Sequence, residues 1–577
     1  MVKVKKIYLW ILTATLVLII GVEYSFSQSP IYDTKSIIHP VVATDGMVSS
    51  QEKLSTQAGL QVLKEGGNAI DAAVTVGFAL AVTLPRAGNI GGGGFMIIHR
   101  AENNENIALD YREKAPLKAT RDMFLNEKGD VDNNKSRFSH LAVGVPGTVA
   151  GLIFALEKYG TISLERALQP AIELAEKGFP VTLDFYESLE FARKSLQQNS
   201  VSQSLFFPNN NPPVVGSIFQ QPELAHSLKL IAQQGKKAFY EGEIATNIVK
   251  EMEANGGLIS LDDLKKYEPK IRNSIEGEYH GYKIYSMPPP SSGGVHLVQM
   301  LNILESFDLK KLGQNTANTI HLMAETMKLA YADRAKYLGD PDFISVPIEG
   351  LISEKYADFL RLQIDQKKAI PSEKISLNNP HNFRESYETT HYSVVDKNGN
   401  AVSNTYTLNF SYGTGITVPN TGILLNNEMD DFVAKPGIGN AYNLTGGEFN
   451  AIAPEKRMLS SMTPTIVMKD DQVFLVTGSP GGSTIINTVL QIIVNVIDFD
   501  MNIAEATVSP RFHHQWLPDK LLLERGINQD TRQLLEEKGH NLTDSNAIGS
   551  TQSIMKVDNS LYGFSDTRRR EALTLGF

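Results

Sequence analysis

A chain of 577 residues, 42% hydrophobic and 20% charged, has the composition of a folded globular protein and can bury a large core. A formal net charge of -10 excludes nucleic acid as the main partner, because phosphate neutralisation needs clustered Lys and Arg. With no cysteine anywhere, disulfides, thiol chemistry and a lipoprotein anchor are excluded too.

Residues 1–27 read as a secretory leader. Lys3, Lys5 and Lys6 form a positive start, Ile7 to Val22 is an almost unbroken apolar run, and Ser25-Phe26-Ser27 offers a cleavage site before Gln28. An uncleaved N-terminal anchor is the alternative, although the run is short for a full span. The expectation is a periplasmic or secreted protein.

Ser50 to Lys64 has helical spacing and ends at Gly66-Gly67. Asn68 to Leu84 is apolar nearly all round, the pattern of a helix buried on both sides. Gly91-Gly92-Gly93-Gly94 then predicts a tight turn with close backbone packing, followed by strands Phe95 to His99 and Ile107 to Tyr111. The second strand delivers Arg112, whose planar fork can grip a carboxylate with two bonds. From Val145 to Ala369 the pattern is mostly helix and loop, broken at Pro288-Pro289-Pro290-Ser291-Ser292-Gly293-Gly294 before a helix Val295 to Glu305. Asn378 to Asn382 reads as a polar linker.

Past residue 375 the pattern changes to strands: Thr389–Val395, Ala401–Thr407, Gly422–Leu425, Pro464–Lys469 and Val473–Thr477, then a helix Ile485–Ile497. Arg568-Arg569-Arg570 reads as a solvated turn. Helices first and strands later predict an α+β layered protein, with strands buried under helices on both sides.

Asp396-Lys397-Asn398-Gly399-Asn400 is a strong turn signal between two of these strands. If all five residues form the loop, Thr389 lies directly opposite Thr407; a two-residue turn at Asn398-Gly399 offsets them. A threonine that opens a strand becomes a catalyst if the chain is cut just before it, because the new α-amino group is a built-in base. Read without that cut, threonines at strand ends are simply good β-formers.

Asn426-Asn427-Glu428-Met429-Asp430-Asp431 can hold an ammonium group, but equally suits an oxygen cluster for a cation or a plain acidic loop. Gly478-Ser479-Pro480-Gly481-Gly482-Ser483 opens a helix, an arrangement that favours a phosphate or the oxyanion of acyl transfer. Neither a P-loop nor a dinucleotide fingerprint is present. Ser460 and Ser461 add neutral donors. His391 stands two residues from Thr389 on the same strand face, so a Thr–His couple is conceivable. No metal-binding histidine motif appears, and none is expected.

Taken together, these segments resemble the γ-glutamyltranspeptidases. The likeness rests on Thr389-Thr390-His391-Tyr392-Ser393-Val394-Val395, Thr405-Tyr406-Thr407-Leu408-Asn409, Gly422 to Phe432, Leu459-Ser460-Ser461-Met462, Gly478 to Ser483, Gly88 to Phe95 and Met287 to Gly294. It covers nearly everything from Ile37 to Phe577.

The resemblance implies a four-layer αββα sandwich of the N-terminal nucleophile hydrolase type. It also implies self-cleavage between Glu388 and Thr389 into intertwined subunits 28–388 and 389–577. It further implies Thr389 as nucleophile, Thr407 as its positioning partner, and Gly481 and Gly482 as oxyanion hole. Arg112, Ser460 and Ser461 would hold a substrate α-carboxylate; Asn409, Glu428 and Asp431 its α-amino group; Tyr442 would be a lid. At position 428 many bacterial members carry glutamine, and a carboxylate there still suits an ammonium. The implied substrates are γ-glutamyl amides such as glutathione, with water, amino acids or peptides as acceptors and no cofactor. Two rivals remain: a glutaryl-cephalosporin or poly-γ-glutamate acylase on the same fold, and an unprocessed exported anion-binding protein.

Overall fold

The computed structural model describes residues 36–375 and 389–577; the leader, the linker Asn378–Asn382 and Glu388 lie outside the described residues. The architecture below is that of the compact unit Pro40–Phe577. Among the described residues no helix is long and apolar enough to cross a membrane.

Two antiparallel seven-stranded sheets form the centre. The first runs, in spatial order, Leu573–Gly576, Gly46–Ser50, Thr390–Asp396, Ala401–Thr407, Gly93–Arg100, Glu105–Tyr111 and Lys270–Arg272. The second runs Val41–Ala43, Ser560–Ser565, Gln552–Val557, Gln472–Thr477, Thr465–Lys469, Tyr282–Ser286 and Ile275–Tyr279. Strand side chains alternate between faces, and here both faces are covered. Val394, Val402, Met96 and Ile98 pack into a core shared with the helix Ala69–Thr83, whereas Val395, Ala401, Phe95 and Ile97 join Ile466, Val476 and Ile554 of the other sheet. On the far side of the second sheet, Ile284, Val467 and Leu475 pack with helices Gly293–Leu304, Ala317–Tyr337 and Ile485–Ile497. The result is helix, sheet, sheet, helix, which is the αββα order.

Polar groups also cross between the sheets. The Ser393 hydroxyl donates to the Gln552 carbonyl at 2.8 Å and the Ser403 hydroxyl to the Thr477 carbonyl at 2.9 Å. Such buried bonds fix the register of one sheet over the other, since breaking one strands a buried partner.

Every residue of Ala69–Thr83 is buried, which accounts for its apolar circumference. Asn68 caps its first turn and Asp71 returns the bond to the Asn68 amide, a capping box.

Three expectations need correction. The middle third is not only helical: Ile275–Tyr279 and Tyr282–Ser286 form a hairpin at the edge of the second sheet. Its alternation of Ile275, Glu276, Gly277, Glu278 and Tyr279, followed by His280-Gly281, was a legible strand signal. Arg568 is not solvated, because its guanidinium pairs with Glu524 at 2.5 Å and Asp566 at 3.1 Å. Histidines do meet at one place, where His321, Glu325 and His540 bring ligand-type atoms within 4.8 Å of one another. Those atoms are already engaged. Lys328 Nζ stands 2.6 Å from Glu325 Oε1, the Ile370 amide donates to Glu325 Oε2, and His321 bonds both His540 and the Asp365 carbonyl. A buried lysine supplies the cation there, and the network ties residues 365–370 to the helix.

Candidate active site

Thr390 pairs with Tyr406 in the hairpin, the register of the five-residue loop. Thr389, one residue earlier, therefore meets Thr407, and its hydroxyl donates to Thr407 Oγ1 at 3.4 Å. Both threonines are buried. By alternation they share the inter-sheet face with His391 and Thr405, at the end of the sheet where the second sheet's strand Gln472–Thr477 runs into the glycine-rich loop.

Thr407 is held from behind. The Asn409 amide donates to Thr407 Oγ1 at 2.8 Å, and Asn89 Nδ2 donates to the Thr407 carbonyl at 2.9 Å. Asn89 Oδ1 in turn accepts from the Gly92 amide and the Thr148 hydroxyl. A Cβ on Gly92 would stand 2.0 Å from the Thr407 carbonyl oxygen, so glycine is what lets this loop pass beneath the strand. The close backbone packing expected of Gly91–Gly94 holds, but of the four only Gly91 and Gly92 lie in the bend, because Gly93 and Gly94 already belong to the strand Gly93–Arg100 paired with Thr407 and Tyr406.

His391 does not couple to Thr389. Its ring bonds the hydroxyls of Thr405 at 2.8 Å and Ser393 at 3.1 Å, and burial pushes its pKa down to about 3. It is a neutral inter-sheet group packed over Gly478.

Thr389 and Thr407 line one pocket with Arg112, Arg334, Asn409, Glu428, Asp431, Tyr442, Ser460, Ser461 and Gly482. All but one of the pocket residues expected from the sequence thus converge; Gly481 is the neighbour of Gly482 in the turn. Gly481 and Gly482 have φ of +136° and +53°, and they lead through a short 3-10 turn into the helix Ile485–Ile497. A helix start turns its free amides and positive dipole end toward an incoming anion. The Tyr331 hydroxyl donates to the Ser483 carbonyl and braces this turn.

Glu428 to Asp431 form a 3-10 turn rather than a plain loop. Glu428 and Asp431 each face Arg112 at 2.5 Å, and Glu113 stands 3.7 Å from the same guanidinium. Asp430 points elsewhere, to Arg137 and to the Ala441 amide. Burial, opposed by Arg112, pushes Glu113 up to about 7 and lifts Glu428 well above the ordinary carboxylate range. Crowding of three carboxylates around one guanidinium therefore works against their full ionisation. Glu428 Oε2 is buried with no hydrogen-bond partner among the described residues.

Ser460 is clamped by the proline-rich loop, and the Ser461 hydroxyl accepts from Arg334 Nη2 at 3.2 Å. The Ser460 amide donates to the Pro290 carbonyl, and the Ser292 amide and hydroxyl donate to the Ser460 carbonyl. Tyr442 lies across Gly482, where an added Cβ would stand 2.5 Å from the ring, and its hydroxyl donates to the Asn409 carbonyl at 2.8 Å. The Asp430 bond to Ala441 and the Asn440 bond to Asp431 moor the same loop. Tyr442 thus lines the pocket beside Gly482.

Sequence reasoning missed Glu113, Asn89 and Arg334. Glu113 was visible as the neighbour of Arg112 at a strand end. Arg334 was not, because Asp333-Arg334-Ala335-Lys336 reads as the solvated end of a helix.

Comparison with known proteins gives a consistent result. The γ-glutamyltranspeptidase family model matches residues 55–575. The chain is 54% identical over 545 residues to the glutathione hydrolase proenzyme of Escherichia coli strain K12, covering 94% of each. Among solved structures, cephalosporin acylase from Bacillus halodurans superposes with a TM-score of 0.83 at 28% identity, over 95% of this chain and 98% of that one. Helicobacter pylori γ-glutamyltranspeptidase superposes with a TM-score of 0.56 at 47% identity, over 60% of this chain and 97% of that one.

Proposed function

The chain belongs to the γ-glutamyltranspeptidase family, and from that premise we propose how its residues carry out γ-glutamyl transfer and hydrolysis. The precursor is cut between Glu388 and Thr389, leaving subunits 28–388 and 389–577 as an intertwined heterodimer. In the cut, the Thr389 hydroxyl attacks the Glu388 carbonyl and water hydrolyses the resulting ester. The freed α-amino group, with a reference pKa of roughly 7.7–8.0, is a suitable general base near neutrality.

In turnover, Thr389 Oγ attacks the γ-carbonyl of a γ-glutamyl amide such as glutathione while the α-amino group takes its proton. The Gly481 and Gly482 amides stabilise the oxyanion, an effect worth about 10²–10³ in kcat per donor. The amine leaves with the proton, and the γ-glutamyl ester on Thr389 passes to water or to an amino acid or peptide amine. Thr407 orients the nucleophile through the hydroxyl pair at 3.4 Å. Arg112, Ser460 and Ser461 take the substrate α-carboxylate, and Asn409, Glu428 and Asp431 its ammonium; that all six line one pocket supports this reading. Tyr442 closes it. The leader at 1–27 directs the protein to the periplasm or beyond.

The observation that carries this reading is one pocket holding a paired strand-opening threonine, a glycine turn at a helix start, and both anionic and cationic groups. The likeness to a cephalosporin acylase supports the rival acylase reading. The carboxylates of Glu428 and Asp431 favour a substrate that carries an ammonium, which a glutaryl group lacks.

Purified protein should run as two fragments, and Thr389→Ala as one uncut band without activity. A wild-type sample intact at Glu388–Thr389 yet active would sink the nucleophile assignment. Faster cleavage of a glutaryl anilide than of the γ-glutamyl anilide would overturn the substrate.

A further inference from the structure

Two guanidinium groups line the pocket, and they differ in company. Arg112 is surrounded by Glu428, Asp431 and Glu113. Arg334, from the buried helix Ala317–Tyr337, is 5% exposed and meets only hydroxyls: Nε donates to Ser292 Oγ at 3.0 Å and Nη2 to Ser461 Oγ at 3.2 Å. Among the described residues no carboxylate forms an ion pair with it. A buried cation without a direct ion pair is costly to keep, and Asp431 acts on Arg334 only through space. Burial pushes the Arg334 pKa down to about 10, so it remains charged at neutral pH.

The charge balance of the pocket then divides in two. Glu113, Glu428 and Asp431 gather on Arg112, the last two at 2.5 Å. That acid-rich side suits a substrate ammonium. Arg112 holds Glu428 and Asp431 while it lines the same pocket. A second positive charge for a substrate α-carboxylate is that of Arg334, presented through the Ser461 hydroxyl it holds.

We propose that Arg334 is the positioning residue that selects for the α-carboxylate of the substrate, by orienting the Ser461 hydroxyl and supplying the offsetting positive charge. The inference rests on the γ-glutamyl reading of the site. It adds to the three carboxylate-holding residues a fourth that the family resemblance did not assign.

The test compares γ-glutamyl anilide with 4-aminobutyryl anilide, which keeps the ammonium and lacks the α-carboxylate, in wild type, Arg334→Gln and Arg334→Lys. Self-cleavage on a gel and the melting temperature monitor folding. Arg334→Gln should lose roughly 10- to 100-fold in kcat/KM on the γ-glutamyl substrate, mostly through KM, as expected for a charged hydrogen bond. It should lose little on 4-aminobutyryl anilide, so that the wild-type preference collapses. Arg334→Lys keeps the charge without the fork and should recover part of the preference. If Arg334→Gln does not fold, the same comparison in Arg334→Lys and in Ser461→Ala decides: both should narrow the preference. Equal losses on the two substrates would mean a purely structural role and overturn the proposal. Wild type that ignores γ-glutamyl anilide would instead overturn the γ-glutamyl reading itself.

Discussion

Glu113→Gln probes the electrostatics of the pocket most directly. The Glu113 carboxylate is fully buried, neither oxygen has a hydrogen-bond partner among the described residues, and its pKa is pushed up to about 7, chiefly by burial. A substrate ammonium binds best once Glu113 has lost its proton, so binding releases a proton and affinity rises with pH. For a group with a pKa near 7, the ionised fraction grows from about one-tenth at pH 6 to about nine-tenths at pH 8, so affinity grows about tenfold. Glutamine at 113 removes one competing carboxylate, and Glu428, relieved of a neighbour, then ionises at lower pH. The assay is the inhibition constant of L-glutamate against γ-glutamyl anilide hydrolysis between pH 6 and pH 8. Its pH dependence should be about tenfold in wild type and largely flat in the variant. The Thr389 α-amino group titrates in both proteins, so the difference between them isolates Glu113. An identical slope in wild type and variant would refute this role of Glu113.

Three other substitutions test the supporting structure. Gly482→Ala places a Cβ 2.5 Å from the Tyr442 ring at a φ of +53°, so kcat should fall on the order of 10²-fold with KM little changed; steady-state kinetics checks this. Gly478→Ala puts a Cβ 2.3 Å from His391 Cε1 between the sheets and should cost about 1–3 kcal/mol, read from the denaturant midpoint. Asn89→Ala frees the Thr407 carbonyl, the Gly92 amide and the Thr148 hydroxyl, and should cost on the order of 3 kcal/mol while slowing self-cleavage, measured on a gel against time. Unchanged processing in this variant would show that Thr407 is held without Asn89.

Much of the site was legible because its signals are local. Thr389, the turn Asp396–Asn400, the acidic residues 428–431 and the glycines 481–482 each announce themselves by neighbours close in the chain. The edge hairpin Ile275–Ser286 and the C-terminal strands Gln552–Val557, Ser560–Ser565 and Leu573–Gly576 were passed over, although two turns and period-2 alternation marked them. Two of these pairs are local hairpins whose signal was present in the sequence. Leu573–Gly576 instead pairs with the distant Gly46–Ser50, and a pairing set by packing leaves a weaker local signal.

The hairpin itself illustrates the division. Its sequence allowed two registers, and alternation alone could not choose, because strands buried on both faces tolerate a one-residue slip in apolar pattern. Tertiary structure decided it. Ser393 and Ser403 bond across to the second sheet and His391 packs over Gly478, which holds the odd-numbered residues, Thr389 among them, on the inter-sheet face. The roles of charge divide in the same way. The sequence by itself determined which acids and bases the chain has, and the αββα class followed from its resemblance. Only the packed structure set three carboxylates around Arg112 and left Arg334 among hydroxyls, because the cost of burying a charge depends on what surrounds it in space.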